Sequence, residues 1–128
     1  MAHGGTWIGA PGFKATATSL ATKQFYVVQH ASTAGQCKLA STSDDEILGV
    51  LQNEPAGGEA AAIAVAGVCK AAAEASVTAG CALTASTTGR VKKTTTDKHK
   101  VVGYALQASS SAGDIIAINV VRGTHTDS

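Results

Sequence analysis

The chain has 128 residues, 45% of them hydrophobic but only 4% aromatic, and its ten Lys and Arg against nine Asp and Glu leave a formal net charge of +1. That length suits one domain with a small core of Val, Ile, Leu and Ala. The near-balanced charge gives no support to a nucleic-acid partner, which draws a basic excess. No run approaches the roughly 18 apolar residues of a membrane span, and the opening MAHGGTWIGAPGFK lacks the charged-then-apolar form of a secretion signal. The expectation is a soluble, unexported protein with no membrane partner.

Residues 1–22 are rich in Gly, Ala and Thr, contain Pro11 and carry Trp7 and Phe13 as their large aromatic groups. They show no sustained period of two or 3.6, so they are expected to form an extended or irregular arm outside the domain proper. An arm with two aromatics and few charges is suited to docking, which makes Trp7 and Phe13 candidate partner-binding residues.

A duplicated β-domain is expected over residues 23–122, with modules at about 23–67 and 78–122 and a tail at 123–128. In the first module, Gln24–Val28 is rich in β formers, and a turn follows at Ala34-Gly35. Next come Cys37–Leu39, a polar loop at Ser41–Asp45, the apolar run Ile47–Leu51, a Pro/Gly turn at Pro55–Gly58, and Ala60–Val65. In the second, the order is Cys81–Leu83, a turn at Thr87–Gly89, Val91–Lys93, a loop at Thr95–His99, Val101–Leu106, a turn at Ser110–Gly113, and Ile115–Val121. Short strands with turn signals every ~8–12 residues indicate a sandwich or barrel. The expected core includes Val27, Leu39, Leu48, Val50, Ile63, Leu83, Val91, Val102, Leu106, Ile116 and Ile118.

The modules repeat one pattern. Gly35, Lys38, Thr42 and Gly49 fall on Gly89, Lys92, Thr96 and Gly103; after one inserted residue, Gln52, Gly58, Ala62, Ile63 and Val65 fall on Gln107, Gly113, Ala117, Ile118 and Val120. The paired positions are glycines, turn residues and apolar strand residues, so what is copied is a scaffold and not an active site. The repeat also decides an ambiguity. Glu59–Ala75 is alanine-rich and scores as helix on propensity, but Ala60–Val65 overlies the β-branched, alternating Ile115–Val120. Ala60–Val65 is therefore expected to be a strand, and strand is preferred over helix for Val68–Val77.

Motifs for chemistry are weak. Histidines 3, 30, 99 and 125 lack zinc-ligand spacing, and Asp44-Asp45-Glu46 lacks the alternating ligands and central Gly of a calcium loop. Cys37, Cys69 and Cys81 form no C-x-x-C and are expected to be buried free thiols. No nucleophile elbow, P-loop or dinucleotide fingerprint is present. No catalytic residue, cofactor or metal is expected. Asp97-Lys98 in a loop between strands suits a lipoyl- or biotinyl-type carrier only remotely, because His99-Lys100 follows. The equivalent loops carry opposite charge: Asp44, Asp45 and Glu46 overlie Lys98, His99 and Lys100. This suggests head-to-tail contact between subunits, with Asp44, Asp45, Glu46, Lys98 and Lys100 as the candidate charges.

The pattern of a strand, G-x-V-K-x-x-T, a short polar loop, I/V-I/V-G-x-A-L and an A-G-E/D turn before I-x-V is carried by GRVKKTTTDKHKVVGYALQASSSAGDIIAINVV and GQCKLASTSDDEILGVLQNEPAGGEAAAIAV. It resembles the internally duplicated capsid decoration (cement) proteins of tailed bacteriophages over about residues 20–122. The resemblance implies an all-β, tulip- or barrel-like domain with an extended N-terminal arm and no enzymatic activity. It also implies a homotrimer bound to the major capsid protein lattice on the outer surface of the virion, made in the host bacterial cytoplasm. A carbohydrate- or receptor-binding surface module is the alternative; such modules present aromatics for stacking, of which this chain has few.

Overall fold

The structure, a computed structural model, describes residues 7–9, 12–15, 20–31, 35–41, 47–94 and 100–124, the last three by backbone alone. These residues form strands and turns and no helix. The strands are β1 (Trp7–Gly9), β2 (Lys14–Ala15), β3 (Val27–His30), β4 (Gln36–Leu39), β5 (Ile47–Leu51), β6 (Ile63–Ala72), β7 (Ala82–Ala85), β8 (Val91–Lys93), β9 (Lys100–Ala105) and β10 (Ile115–Thr124). The all-β expectation holds. The alanine-rich stretch is strand, as the comparison with Ile115–Val120 requires, but β6 begins at Ile63 and runs unbroken to Ala72. Beyond it, Ala73 and Val77 each make a single bridge.

One sheet holds the strands in the order β2-β4-β3-β5-β6-β10-β9-β7-β8, with β1 added on β6. The path is open: no described pairing joins β2 to β8, so the described strands form one open sheet and not a closed barrel. From β4 to β8 the order is palindromic. Strands β4-β3-β5-β6 run inward from one end and β8-β7-β9-β10 from the other, and β6 meets β10 antiparallel over six residue pairs from Ile115–Ala72 to Val120–Gly67. Strand β6 is shared three ways. Its start pairs with β5 through Ile63 and Ala64, its end with β10, and β1 runs antiparallel along Ala64–Gly67. The changeover falls at Gly67, whose φ of 94° suits a glycine and bends the strand.

Two apolar clusters lie on this sheet. The larger joins both ends of the palindrome, with Val27, Val50, Leu83, Val91, Val102, Ile116 and Ile118 packed together. The smaller holds Ala15, Leu20, Val28, Cys37, Leu48, Leu51 and Ile63, with Phe13 against it. Strand β5 is therefore buried along its whole length, which accounts for its unalternating Ile-Leu-Gly-Val-Leu sequence.

The second cluster corrects the reading of residues 1–22 as an arm standing outside the domain. Where described, this segment is part of the sheet: Trp7–Gly9 pairs with β6, Lys14–Ala15 pairs parallel with β4, and Leu20 is buried. Two expected core positions also differ. Leu39 is only partly buried, and Leu106 is 50% exposed because it lies one residue past β9 on the outward side.

Candidate functional site: an apolar sheet face

Strand β10 alternates cleanly. Ile116, Ile118 and Val120 are buried, while Ile115 and Val121 are exposed and Ala117 and Asn119 are half-buried between them. In antiparallel pairs, partner residues project to the same side. Asn119 pairs with Val68 of β6 and Tyr104 of β9, and Ala117 pairs with Lys70 of β6. Leu106 donates its backbone N–H to the Ala117 carbonyl at 2.9 Å, which places it beside the same row. At the far end, Ile8 of β1 pairs with Ala66 on the opposite edge of β6 from β10, because Trp7 and Val120 both pair with Gly67.

Six large apolar residues are exposed among the described residues. Four of them, Tyr104, Leu106, Ile115 and Val121, thus fall on the outer side of β10 and β9, and Ile8 lies across β6 from them on β1. Along the paired positions named above, Lys70 is the single charged residue. A contiguous apolar patch on a small domain marks a contact surface, whereas scattered exposed apolar residues mark nothing. Sequence reasoning missed these residues. The available signal was that Ile115–Val121 is apolar at both strand parities, so that only one of the two sets can face the core.

The residues expected to bind partners are dispersed. Trp7 is 36% exposed on β1. Phe13 turns its ring to the smaller core and stands edge-on to His30, with ring centroids 5.5 Å apart. Lys100 opens β9 and is half-buried. Asp44, Asp45, Glu46 and Lys98 lie outside the described residues.

A polar clamp occupies a different place, where the end of β6 meets the β7–β8 turn. Glu74 Oε1 accepts a hydrogen bond from Ser86 Oγ at 2.8 Å and another from the Thr88 hydroxyl, and Arg90 Nε lies 3.4 Å from the same oxygen. The Thr88 and Ser86 hydroxyls, with help from Arg90, hold the Glu74 carboxyl below the usual range. The clamp steadies a turn that crosses to the other half of the palindrome, where the Gly89 carbonyl accepts the Val27 N–H at 2.6 Å. It holds the fold and offers no nucleophile. Among the described residues, no group of three or more His, Cys, Asp or Glu is placed to hold a metal. Burial pushes the Cys69 thiol up to about 12 and raises Cys37 as well, which disfavours both as thiolates.

No curated protein sequence matches the chain. Among solved structures it is similar to the head fiber gp8.5 N base of bacteriophage phi29, with a TM-score of 0.67 over 94% of this chain and 98% of that one at 12% identity, a likeness of fold. Residues 12–121, which span nearly all of the sheet, match the family described as phage cement protein, and the chain belongs to that family.

Proposed function

We propose that this protein decorates the outer surface of an assembled phage head and stabilises the shell. The match to the phage cement family over residues 12–121 carries the reading. The head fiber fold of the phi29 neighbour and the apolar outer face are in keeping with it. On this reading the protein has no enzymatic activity and works through its surfaces. Its partner is the major capsid protein lattice, and its working unit is a homotrimer. Trp7, on the edge strand β1, is a contact with the lattice or a neighbouring copy. Asp44, Asp45 and Glu46 of one copy face Lys98 and Lys100 of the next.

We also propose that the two ends of the palindrome are copies of one unit. Paired glycines support this by sharing geometry. Gly35 and Gly89 have φ of 80° and 86°, and Gly58 and Gly113 have φ of 81° and 89°.

The test uses shells of the phage that encodes the chain, assembled without it. Purified protein is added, occupancy is read by sedimentation and imaging, and shell rupture is followed on heating. Saturable binding to shells, with none to unassembled capsid subunits, and a higher rupture temperature are expected. Absence of binding to assembled shells would sink the reading.

A further inference from the structure

We infer that strand β1 is a docking edge for an extended, uncharged segment of the capsid lattice, which adds to it as one more strand. The inference rests on the decoration reading and names the chemistry of one contact within it.

The first argument is where the sheet's edges are closed. A strand paired on one side leaves a row of N–H and C=O groups on the other, and an uncovered row is a template for a further strand. Both ends of the main path are closed by this chain. At β2, Ala15 donates its N–H to the Glu59 carbonyl at 2.9 Å, its own carbonyl accepts the Gly58 N–H at 3.1 Å, and Lys14 bridges to Ala60. At β8, Val91 bridges to Ala73, and its carbonyl accepts the Glu74 N–H at 2.7 Å. Strand β1 differs: among the described residues it pairs with β6 alone.

The second argument is side chains. Proteins guard sheet edges against stray pairing with charge, Lys above all. Strand β2 carries Lys14, and β8 carries Lys92 and Lys93. Strand β1 reads Trp-Ile-Gly, exposed at all three positions and without charge. Ile8 is 67% exposed, the most of the large apolar residues described. The Trp7 ring lies along the strand over Gly9, where a Cβ would come within 3.1 Å of Trp7 Cζ3. Successive side chains of a strand point to opposite faces. A segment added to β1 therefore meets an apolar group on each face, which favours uncharged residues in the segment.

The third argument selects the occupant. Strand β1 is three residues long, with a register shift between Ile8 and Gly9. A short, irregular edge is a poor template for the same edge of another copy in solution, and such edges are how natural sheets avoid pairing with themselves. It is better matched to a segment that an assembled shell already holds extended, because the cost of ordering that segment is met before contact.

The experiment uses shells of the phage that encodes the chain, assembled without it, with the wild-type chain and Ile8→Lys. The exposed position lets the new charge enter water in the free protein, and circular dichroism and thermal melting check folding. Affinity is read by sedimentation. Hydrogen exchange with mass spectrometry follows the Trp7–Gly9 amides in free and shell-bound wild type, a measurement that needs no variant. Exchange slowed at least tenfold on shells is expected, together with an Ile8→Lys chain that melts as wild type does but binds shells at least tenfold more weakly. Exchange unchanged on shells, or a folded Ile8→Lys chain that binds within twofold of wild type, overturns the inference and leaves the decoration reading standing. Slow exchange already present in the free protein and lost on dilution puts a second copy on the edge and also overturns it. A wild-type chain that binds no shell removes the decoration reading and the inference together.

Discussion

Gly103 offers a sharp test of how tightly β9 and β10 approach. A Cβ built there would overlap the Asn119 carbonyl oxygen and come within 2.9 Å of the Asn119 carbonyl carbon and of Val120 Cα. All three atoms are backbone in the paired strand, so no rotamer change relieves the clash, and the strands must part by about 1 Å to restore ordinary contact. Overpacking of this kind costs about 1–3 kcal/mol, and stretching one or two ladder hydrogen bonds adds about 1 kcal/mol each. The lower entropy of the unfolded Ala chain returns about 0.4–1 kcal/mol in the opposite sense. Gly103→Ala is therefore expected to destabilise by about 3 kcal/mol, or about 12 °C in Tm for a chain of this length. Gly80→Ala is the control. Gly80 has φ of 90° and open space around its missing Cβ, so only the left-handed backbone is penalised, at about 1 kcal/mol. Urea titration and calorimetry of the three proteins decide the matter. If Gly103→Ala melts no lower than Gly80→Ala, the close approach is not a constraint and the strand packing argument fails. Gly49, whose Cβ would overlap the Ala64 carbonyl oxygen, should behave as Gly103 does.

Four further outcomes are expected. Glu74→Gln should lose about 0.5–1 kcal/mol at neutral pH, because the clamp is about one-third exposed and its charges are screened. The folded carboxyl titrates below its ordinary value of 4.5, so the contribution is complete above that pH and fades as pH falls through the depressed folded value; denaturant melts at pH 7 and pH 3 should show the wild-type advantage at pH 7 shrinking at pH 3. A thiol reagent should label the half-buried Cys81 in the native protein and reach Cys37 and Cys69 only on unfolding, as mass spectrometry would read out. Leu83→Ala, at a fully buried site, should cost about 2–5 kcal/mol, while Leu106→Ala should change the stability of the monomer by no more than about 0.5 kcal/mol. Deleting residues 2–20 should lower Tm sharply, because Ala15, Leu20 and Phe13 cover Leu48, Leu51 and Ile63; an unchanged melt would show that the second cluster is dispensable.

The strands were legible because turn residues punctuate the chain and because Ile115–Val120 resolved the helical propensity of Glu59–Ala75. The paired glycines were legible for the same reason, since a left-handed turn or a pressed carbonyl admits little else. The burial of Phe13, Ala15 and Leu20 was not legible because these residues follow no period. They pack against Leu48, Leu51 and Ile63, and a contact so distant in sequence has no local signature. The docking face was hidden for another reason. Tyr104, Leu106, Ile115 and Val121 look like core residues in sequence, and only the register of β9, β10 and β6 puts them on the side away from the core, where no described strand covers them.

The ladder between β6 and β10 has a consequence for how the chain is made. It joins residues such as Lys70 and Ala117, far apart in sequence, so during synthesis β6 must wait for almost the whole remainder of the domain before its partner emerges. Pairing at such separation is slow and leaves strand edges open meanwhile. A nascent β6 that meets the β10 of another copy can satisfy the same ladder in trans, giving a swapped dimer whose local contacts are those of the monomer. Expression level and temperature, which set how often an incomplete chain meets a longer, unfolded one, would then decide how much of the protein emerges correctly threaded.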